Sequence, residues 1–354
     1  MPPGEAPRCA VYVDMGAANT RAWLLEGERV LARAARPVGV RDSARAGSPE
    51  ALRQGLRELI AELRGSAVDN EPQVVAAAGM ITSPQGLCEV PHVPSPAGVE
   101  ELAAAARWTE LKDVTELPAL LATGIRSGPP RMAAMRIGTA DVMRGEETLC
   151  VGLAALGLVK SPGVVLSLGS HWKAIQINAG GQIEGSVTSL AGELLHTAQT
   201  HTVLASSLPP ERPATLAVPW LDAGMREQRR SGHARVLFGV RLLDLAGQGT
   251  PDERYAYAAG AFIASEMDAL MSLGVLAKNV PVAIVGSDAI AGGWLHALTA
   301  AGVPGGIVSP ADSERGFLAG LSRIMLRAIE LRSAANPSSP AGGHGDGCSR
   351  RPVT

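Results

Sequence analysis

Three short stretches of the sequence combine residue types that can do chemistry. In "DMGAANTRAW", from Asp14 to Trp23, a carboxylate and a glycine turn stand between the apolar runs "CAVYV" and "LLEGERVLARAA". A glycine turn joining two antiparallel strands aims successive backbone N–H groups at one point, so a phosphate can rest at Gly16 with no side chain intervening. Asp14 closes the first strand and faces that point, where a carboxylate beside phosphates makes sense mainly as the partner of a hydrated Mg²⁺. The plain alternative is that Asp14 caps a hairpin, Asp and Gly being ordinary turn residues. "LGSHWK", from Leu168 to Lys173, repeats the glycine turn at Gly169 and adds Ser170, His171 and Lys173. Strand alternation sends His171 and Lys173 to one face and Trp172 to the other. A lysine beside a phosphate cradle neutralises charge during phosphoryl transfer, whereas a lone strand lysine is ordinarily solvated. No G-x-x-x-x-G-K-[ST] occurs, which excludes a Walker-type NTPase.

"DVMRGEET", Asp141 to Thr148, places Asp141, Glu146 and Glu147 around Arg144 in front of a helix. One carboxylate can accept a hydroxyl proton while Arg144 holds an anionic group. A solvated cluster, with Glu146 and Glu147 favouring the positive end of the helix dipole, accounts for the same letters equally well. In "SLAGELLHTAQTH", Gly192 and Glu193 open a helix whose N-terminus can receive an anion, and the spacing of His196 and His201 does not align them as metal ligands. "IVGSDAIAGGW" ends a buried strand at Gly286, where a flat ring can approach the backbone or the chain can simply turn into a helix.

The elements that must position these groups repeat. Val11–Val13, Arg21–Leu25 and Glu28–Ala34 read as three antiparallel strands, with a tight turn at Glu26 and Gly27. Ser48 and Pro49 start a helix whose stripe is Leu52, Leu56, Leu59, Ile60 and Leu63, and the short buried strand "VVAAAGM" follows. From Gly163 the grammar returns: "GVVLSLGS", "HWKAIQIN" and "QIEGSV", so that Asp14, Met15 and Gly16 correspond to Ser167, Leu168 and Gly169. Helices follow from Leu190 to about Leu204 and from Asp252 to Leu276, then the strand "VPVAIVGS" and a last helix from Ser313 to about Arg332. This is a duplicated α/β architecture with mixed sheets.

Length and composition fit that reading. At 354 residues and 46% hydrophobic, the chain exceeds the size at which single cores split into domains. Net charge is −2, so no summed basic field draws the protein to nucleic acid or an anionic membrane, and a small-molecule ligand is expected. Cys9, Cys88, Cys150 and Cys348 form no C-x-x-C pair and suit a reducing cytoplasm. No leader-like start or membrane-length apolar run is read, so the expected place is the cytoplasm. The stretch after Ser333, rich in Pro, Gly and Ser, is expected to be disordered.

Taken together, these stretches resemble the 2-keto-3-deoxygalactonate kinase family, sugar-acid kinases of the actin-like ATPase superfamily, collinearly over roughly residues 10 to 330. The family's first phosphate loop resembles "DMGAANTRAWL", its substrate segment resembles "AGMITSPQGLCEVPHVPSPA", and its signature V-M-R-G-E-E-T is intact from Val142 to Thr148. P-G-T-H-x-K appears as "LGSHWK", M-T-G-E-L as "SLAGEL", S-G-L-L-I-G-x-E as "AGAFIASE", and the G-[ST] of the adenosine segment as Gly286 and Ser287.

The resemblance implies two actin-like (ribonuclease H-like) domains with an interdomain nucleotide cleft: a first lobe at 8–158, a second at 159–332 and a tail at 333–354. It implies phosphorylation of the 6-hydroxyl of 2-keto-3-deoxygalactonate, a step of galactonate catabolism, with ATP and Mg²⁺. By position, Asp14 holds the metal through water; Gly16, Asn19, Arg21, Gly169, Ser170, His171 and Lys173 line the phosphates; Gly286 and Ser287 meet the adenosine. Gly79, Met80, Ser83, Arg144, Gly192 and Glu193 contact the sugar acid, and Glu146 is the favoured base, with Asp141 and Glu147 next. A homodimer is compatible with all of this. Departures at Ala17, Ala18, Leu87, His92, Leu149, Ala191, Ala259 and Ala264 keep two alternatives open: a kinase of another keto-deoxy or aldonic acid, or a catalytically weak ligand-binding relative.

Overall fold

The computed structural model describes residues 5–66, 70–129, 134–286 and 288–335. They form two compact units, one built from the residues up to Leu156 together with those from Glu314 onward, the other from Gly157–Ser313.

In the first unit β1 (Cys9–Met15) is a run of apolar residues buried on both faces, as a central strand must be. It pairs antiparallel with β2 (Thr20–Glu26), which pairs antiparallel with β3 (Arg29–Arg36). Short α1 (Val40–Ala46) and then α2 (Glu50–Gly65) lead to β4 (Val74–Gly79), which runs parallel to β1. Leu52, Leu56, Leu59, Ile60 and Leu63 of α2 share one core with Val11, Val13 and Val75, each buried leucine contributing about 2 kcal/mol. The helix begins one residue later than expected: Pro49 is its cap residue, and the Ser48 hydroxyl accepts the Glu50 N–H at 3.3 Å.

Beyond β4 lie β5 (Val93–Pro94), α3 (Val99–Ala105), β6 (Arg107–Glu110), β7 (Pro118–Leu121), β8 (Ile125–Ser127), β9 (Asp141–Met143) and α4 (Glu146–Ala155). The main sheet has the order β3-β2-β1-β4-β7-β6, and β5-β8-β9 form a small second sheet.

The second unit repeats the plan with β10 (Gly163–Leu168), β11 (Trp172–Ile177), β12 (Ile183–Ser189), α5 (Ala191–His201), α6 (Val218–Ser231), α7 (His233–Leu245), α8 (Pro251–Ser272), β13 (Val282–Gly286), α9 (Asp288–Ala300) and β14 (Gly305–Ile307). Its sheet order is β12-β11-β10-β13-β14. Strand for strand, β10, β11, β12 and β13 match β1, β2, β3 and β4, with the same two antiparallel pairings and the same parallel one. Met15 stands opposite Gly79 in one unit, and Leu168 stands opposite Gly286 in the other. The expected duplication is therefore present at the level of register.

The last helix, α10 (Pro310–Ala335), corrects the expected second-lobe span of 159–332. From Glu314 onward it belongs to the first unit, because that is where its contacts are. Phe317 packs on Trp23 with ring centroids 5.7 Å apart, and Arg327 bonds Glu100 at 2.8 Å. A Cβ on Gly152 of α4 would lie 1.7 Å from the Gly316 carbonyl oxygen, so the two helices cross backbone to backbone. Ser333–Ala335, expected in the disordered tail, are helical, and residues 336–354 lie outside the described residues. Among the described residues no helix is long and apolar enough to cross a membrane.

Candidate functional site

The turn between β1 and β2 is closed by a bond from the Gly16 N–H to the Asn19 carbonyl at 2.8 Å. Its carbonyls are committed: those of Gly16 and Ala17 accept the N–H groups of Val40 and Arg41 at the start of α1, at 3.3 and 2.9 Å. A Cβ on Gly39 would lie 2.4 Å from the Ala17 carbonyl carbon, so glycine is what lets α1 reach the loop. The Ala17 and Ala18 amides take no part in these bonds. Because the loop is organised by backbone, alanines in place of hydroxyl residues leave its geometry intact. Asp14 is largely buried, and its Oδ2 accepts from Arg21 Nη2 at 2.5 Å across the β1–β2 pair. Asn19 and the Arg21 side chain are exposed.

At the end of β4 the backbone of Gly79 has φ 85°, a conformation that favours glycine. A Cβ there would lie 2.5 Å from the Met15 carbonyl oxygen and 3.3 Å from Asp14 Oδ1. Gly145, with φ 104°, stacks on it: its Cβ would lie 3.3 Å from the Gly79 Cα. This stacking of two glycines brings the R-G-E-E segment to the end of β4 that Asp14 also borders. The segment becomes the first turn of α4. Glu147 is buried, and both its oxygens accept the Gly145 N–H at 2.8 Å. Glu146 is half-buried, and its Oε2 accepts the Arg144 N–H at 3.2 Å. Both carboxylates sit where the helix dipole favours negative charge. Asp141 stands apart on β9, opposite Ser127, with Oδ1 accepting its neighbour's Val142 N–H at 2.9 Å.

The Arg144 guanidinium is held in place. Nη1 donates to Thr82 Oγ1 at 2.7 Å and Nη2 to the Val90 carbonyl at 2.8 Å, with His92 Nδ1 3.3 Å from Nη2. Thr82 in turn donates to the Gly79 carbonyl at 3.0 Å, linking the arginine to the end of β4. Burial pulls Arg144's proton affinity down, opposed by the charges of Glu147 and Glu89, and the group remains a cation. Of the other expected substrate residues, Ser83 is buried with its hydroxyl on the Met80 carbonyl at 2.8 Å, and Met80 is half-buried. Sequence reasoning missed Thr82 as a partner of Arg144 and noted His92 only as a departure from a pattern. The signal for Thr82 was its place three residues after Gly79, where a 3₁₀ turn (Met80–Thr82) folds its hydroxyl back.

In the second unit Gly169, Ser170 and His171 are exposed on the turn between β10 and β11. Lys173 is 5% exposed, so the ordinary solvated role of a strand lysine is excluded. It stands in register with Ser167 on one side and Thr188 on the other. Gly192 is buried beneath the loop: a Cβ there would lie 2.3 Å from the Gly169 carbonyl oxygen and 2.7 Å from that of Ser170. Thus α5 supports the second loop as α1 supports the first. Glu193 is exposed, 3.6 Å from His171. Gly286 closes against Leu168, where a Cβ would lie 2.7 Å from the leucine Cβ. Ser287 lies outside the described residues.

The expected residues thus fall into two groups. Asp14, Gly16, Asn19, Arg21, Gly79, Met80, Ser83, Arg144, Glu146 and Glu147 gather at the ends of β1 and β4 of the first unit, and Gly169, Ser170, His171, Lys173, Gly192, Glu193 and Gly286 at the matching ends of the second. Carboxyl ends of strands are where open α/β sheets bind ligands. Among the described residues no group of three or more His, Cys, Asp or Glu side chains could hold a metal by itself. A metal here would take one protein carboxylate, Asp14, and complete its shell from water and ligand oxygens.

A family model described as 2-keto-3-deoxy-galactonokinase matches residues 14–324. A Rhizobium meliloti (strain 1021) protein named "Probable 2-dehydro-3-deoxygalactonokinase" is 30% identical over 317 residues, covering 88% of this chain and 94% of its own. The 2-dehydro-3-deoxygalactonokinase of Escherichia coli (strain K12) is 24% identical over 315 residues, 89% of this chain and 96% of its own. A solved structure from Sinorhizobium meliloti, assigned as a 2-dehydro-3-deoxygalactonokinase, superposes with a TM-score of 0.72 at 23% identity over 93% of this chain and 100% of that one. At that identity the structural likeness speaks for the fold alone.

Proposed function

The chain belongs to the 2-keto-3-deoxy-galactonokinase family, and on that premise we propose that it transfers the γ-phosphoryl group of ATP to the 6-hydroxyl of 2-keto-3-deoxygalactonate. The observation that carries the reading is the stacking of Gly145 on Gly79 beside Asp14, which joins a metal-suited carboxylate, a fixed cation and a candidate base at one strand end. Phosphoryl transfer asks the protein for positioning and charge stabilisation more than for covalent chemistry. The first unit meets that demand on the acceptor side. Arg144, oriented by Thr82 and Val90, offers its remaining N–H groups to the acid's carboxylate.

Of the three carboxylates, Glu147 is buried with both oxygens on one amide, and Asp141 sits on β9 capping its own neighbour. We take Glu146, half-buried at the first position of α4, as the group that accepts the hydroxyl proton as the oxygen bonds phosphorus and ADP leaves. In the second unit Gly169 and Ser170 supply phosphate donors, Lys173 offsets the charge, and the strand end at Gly286, closed against Leu168, is the candidate edge for the adenosine. Asp14 fits Mg²⁺ held through water: Arg21 takes one of its oxygens, and the other borders the end of β4. The ion, when bound, neutralises charge on the phosphates. The reaction is assigned to the cytoplasm, where ATP is supplied.

The test is ADP release from ATP and Mg²⁺ across a panel of keto-deoxy and aldonic acids. The reading requires the highest kcat/KM on 2-keto-3-deoxygalactonate. Preference for another acid would shift the substrate, and no turnover on any acid would mark a ligand-binding relative.

A further inference from the structure

We propose that His92 is a positioning residue for Arg144, keeping the guanidinium oriented by neutral hydrogen-bond partners, without a direct ion pair, so that it can take the carboxylate of the sugar acid. This rests on the reading of Arg144 as a substrate contact.

The small sheet explains why the two side chains meet. β5 and β8 run parallel and β9 antiparallel to them, so the residues just before β5 and β8 and just after β9 share one end. Those residues are His92, Gly124 and Arg144. The Val93 N–H bonds the Gly124 carbonyl at 2.9 Å and locks that end. A Cβ on Gly124 would lie 2.7 Å from His92 Cδ2 and 2.8 Å from Arg144 Cγ, so the glycine is the space in which imidazole and arginine come together.

The chemistry of the contact is one-directional. A guanidinium can only donate, so His92 Nδ1 accepts from Nη2 across 3.3 Å and the ring proton resides on Nε2. All three acceptors of the guanidinium are uncharged: the Thr82 hydroxyl, the Val90 carbonyl and the His92 imidazole. Among the described residues the guanidinium forms no ion pair, although it is half-buried. Fully buried arginines are almost always paired, which spends their charge within the protein. Here neutral partners fix the geometry, Glu147 and Glu89 act on the charge without bonding it, and N–H groups remain for an anion from outside. The same end of the sheet with a carboxylate at position 92 would hold Arg144 as firmly and cancel its use.

That contrast supplies the experiment. Asn and Asp are nearly isosteric, and both offer an acceptor near the place of Nδ1, but only one carries charge. Steady-state kinetics are measured for His92→Asn, His92→Leu, His92→Asp and Arg144→Met, with thermal melting of each variant. We expect the sugar-acid KM to rise less than about 3-fold in His92→Asn, about 10-fold in His92→Leu and about 100-fold in His92→Asp, in line with loss of one hydrogen bond and of one charge-assisted contact. The ATP KM should stay within about 2-fold throughout. Equal behaviour of His92→Asn and His92→Asp, or an unchanged sugar-acid KM in His92→Leu, overturns the proposal. If Arg144→Met raises the sugar-acid KM about 100-fold while the His92 variants do not, the positioning role alone fails. If Arg144→Met leaves that KM unchanged, the assignment of Arg144 fails with it.

Discussion

The two units place a cation at the same register position and use it differently. Arg21 of β2 stands opposite Asp14, and Lys173 of β11 stands opposite Ser167, the equivalents of one another in the duplicated strand order. Arg21 is exposed and bonds the carboxylate across from it at 2.5 Å. Lys173 is buried and faces a hydroxyl residue. In the first unit the pair is locally neutral, with a carboxylate left at the strand end that suits a metal. In the second, the lysine is buried two residues into the strand that follows the exposed loop of Gly169, Ser170 and His171. The duplicated backbone supplies the same turn twice, propped by a helix start and a glycine in each case, and on the proposed reading the residue opposite the cation would set whether the turn favours a metal ion or phosphate oxygens.

The comparison is sharpest at its cations. If Lys173 offsets charge on the transferring group as proposed, Lys173→Met should lower kcat about 1000-fold. Arg21→Ala should lower it less than about 10-fold and change stability by less than about 1 kcal/mol, as an exposed ion pair does. Equal losses from the two substitutions would show that the units do not divide the work this way. Asp14→Asn should lower kcat about 100-fold and raise the Mg²⁺ concentration needed for half-maximal rate, while the sugar-acid KM moves little. An unchanged Mg²⁺ requirement would remove Asp14 from the metal role.

A smaller effect compares the helix crossings. Gly152 on α4 and Gly224 on α6 each press backbone on backbone: a Cβ would lie 1.7 Å from the Gly316 oxygen and 1.9 Å from the Tyr257 oxygen respectively. Gly152→Ala and Gly224→Ala should each cost about 3 kcal/mol by thermal melting. Only the first moves the helix that begins at Glu146. It should therefore lower kcat at temperatures where both variants are fully folded, and a matching loss in Gly224→Ala would argue against a local role for α4.

The mildest test is one of acid stability in the second unit. His233 packs edge-on against Phe262 with centroids 4.3 Å apart, and burial pushes its pKa below the ordinary histidine value. The unfolded chain then takes up the proton first. The contribution of His233 is complete above the ordinary imidazole range and is lost as pH falls through the depressed value. The melting temperature should fall by roughly a few degrees below pH 6, and His233→Leu should remove that slope.

Much of this arrangement was legible in the sequence, and the boundary has physical causes. The apolar run of β1, the tight turn between β2 and β3 and the stripe of α2 are local patterns, and the repeat of the strand order followed from laying two such patterns over each other. The small sheet was not legible, since strands of two and three residues carry no period. Nor were α6 and α7, in which Phe238, Leu242 and Leu245 lie exposed on α7 and blur the amphipathic signal. The place of α10 depends on which surface it covers, a fact settled by Gly152, Gly316 and Gly320 at long range. The same holds for the candidate site: its motifs could be read one at a time, but the stacking of Gly145 on Gly79 joins positions 66 residues apart through φ angles that a bare glycine does not announce. Burial of Lys173 and the meeting of His92 with Arg144 are tertiary facts of the same kind.

The central claim is that this chain moves a phosphoryl group from ATP to a sugar acid, and a single-turnover reaction tests it most directly. Enzyme in excess is mixed with γ-labelled ATP, Mg²⁺ and 2-keto-3-deoxygalactonate, and the label is located in the products. The account predicts label on the 6-oxygen of the acid, with little free phosphate. Label recovered only as unreacted ATP or inorganic phosphate, at saturating acid, would contradict it.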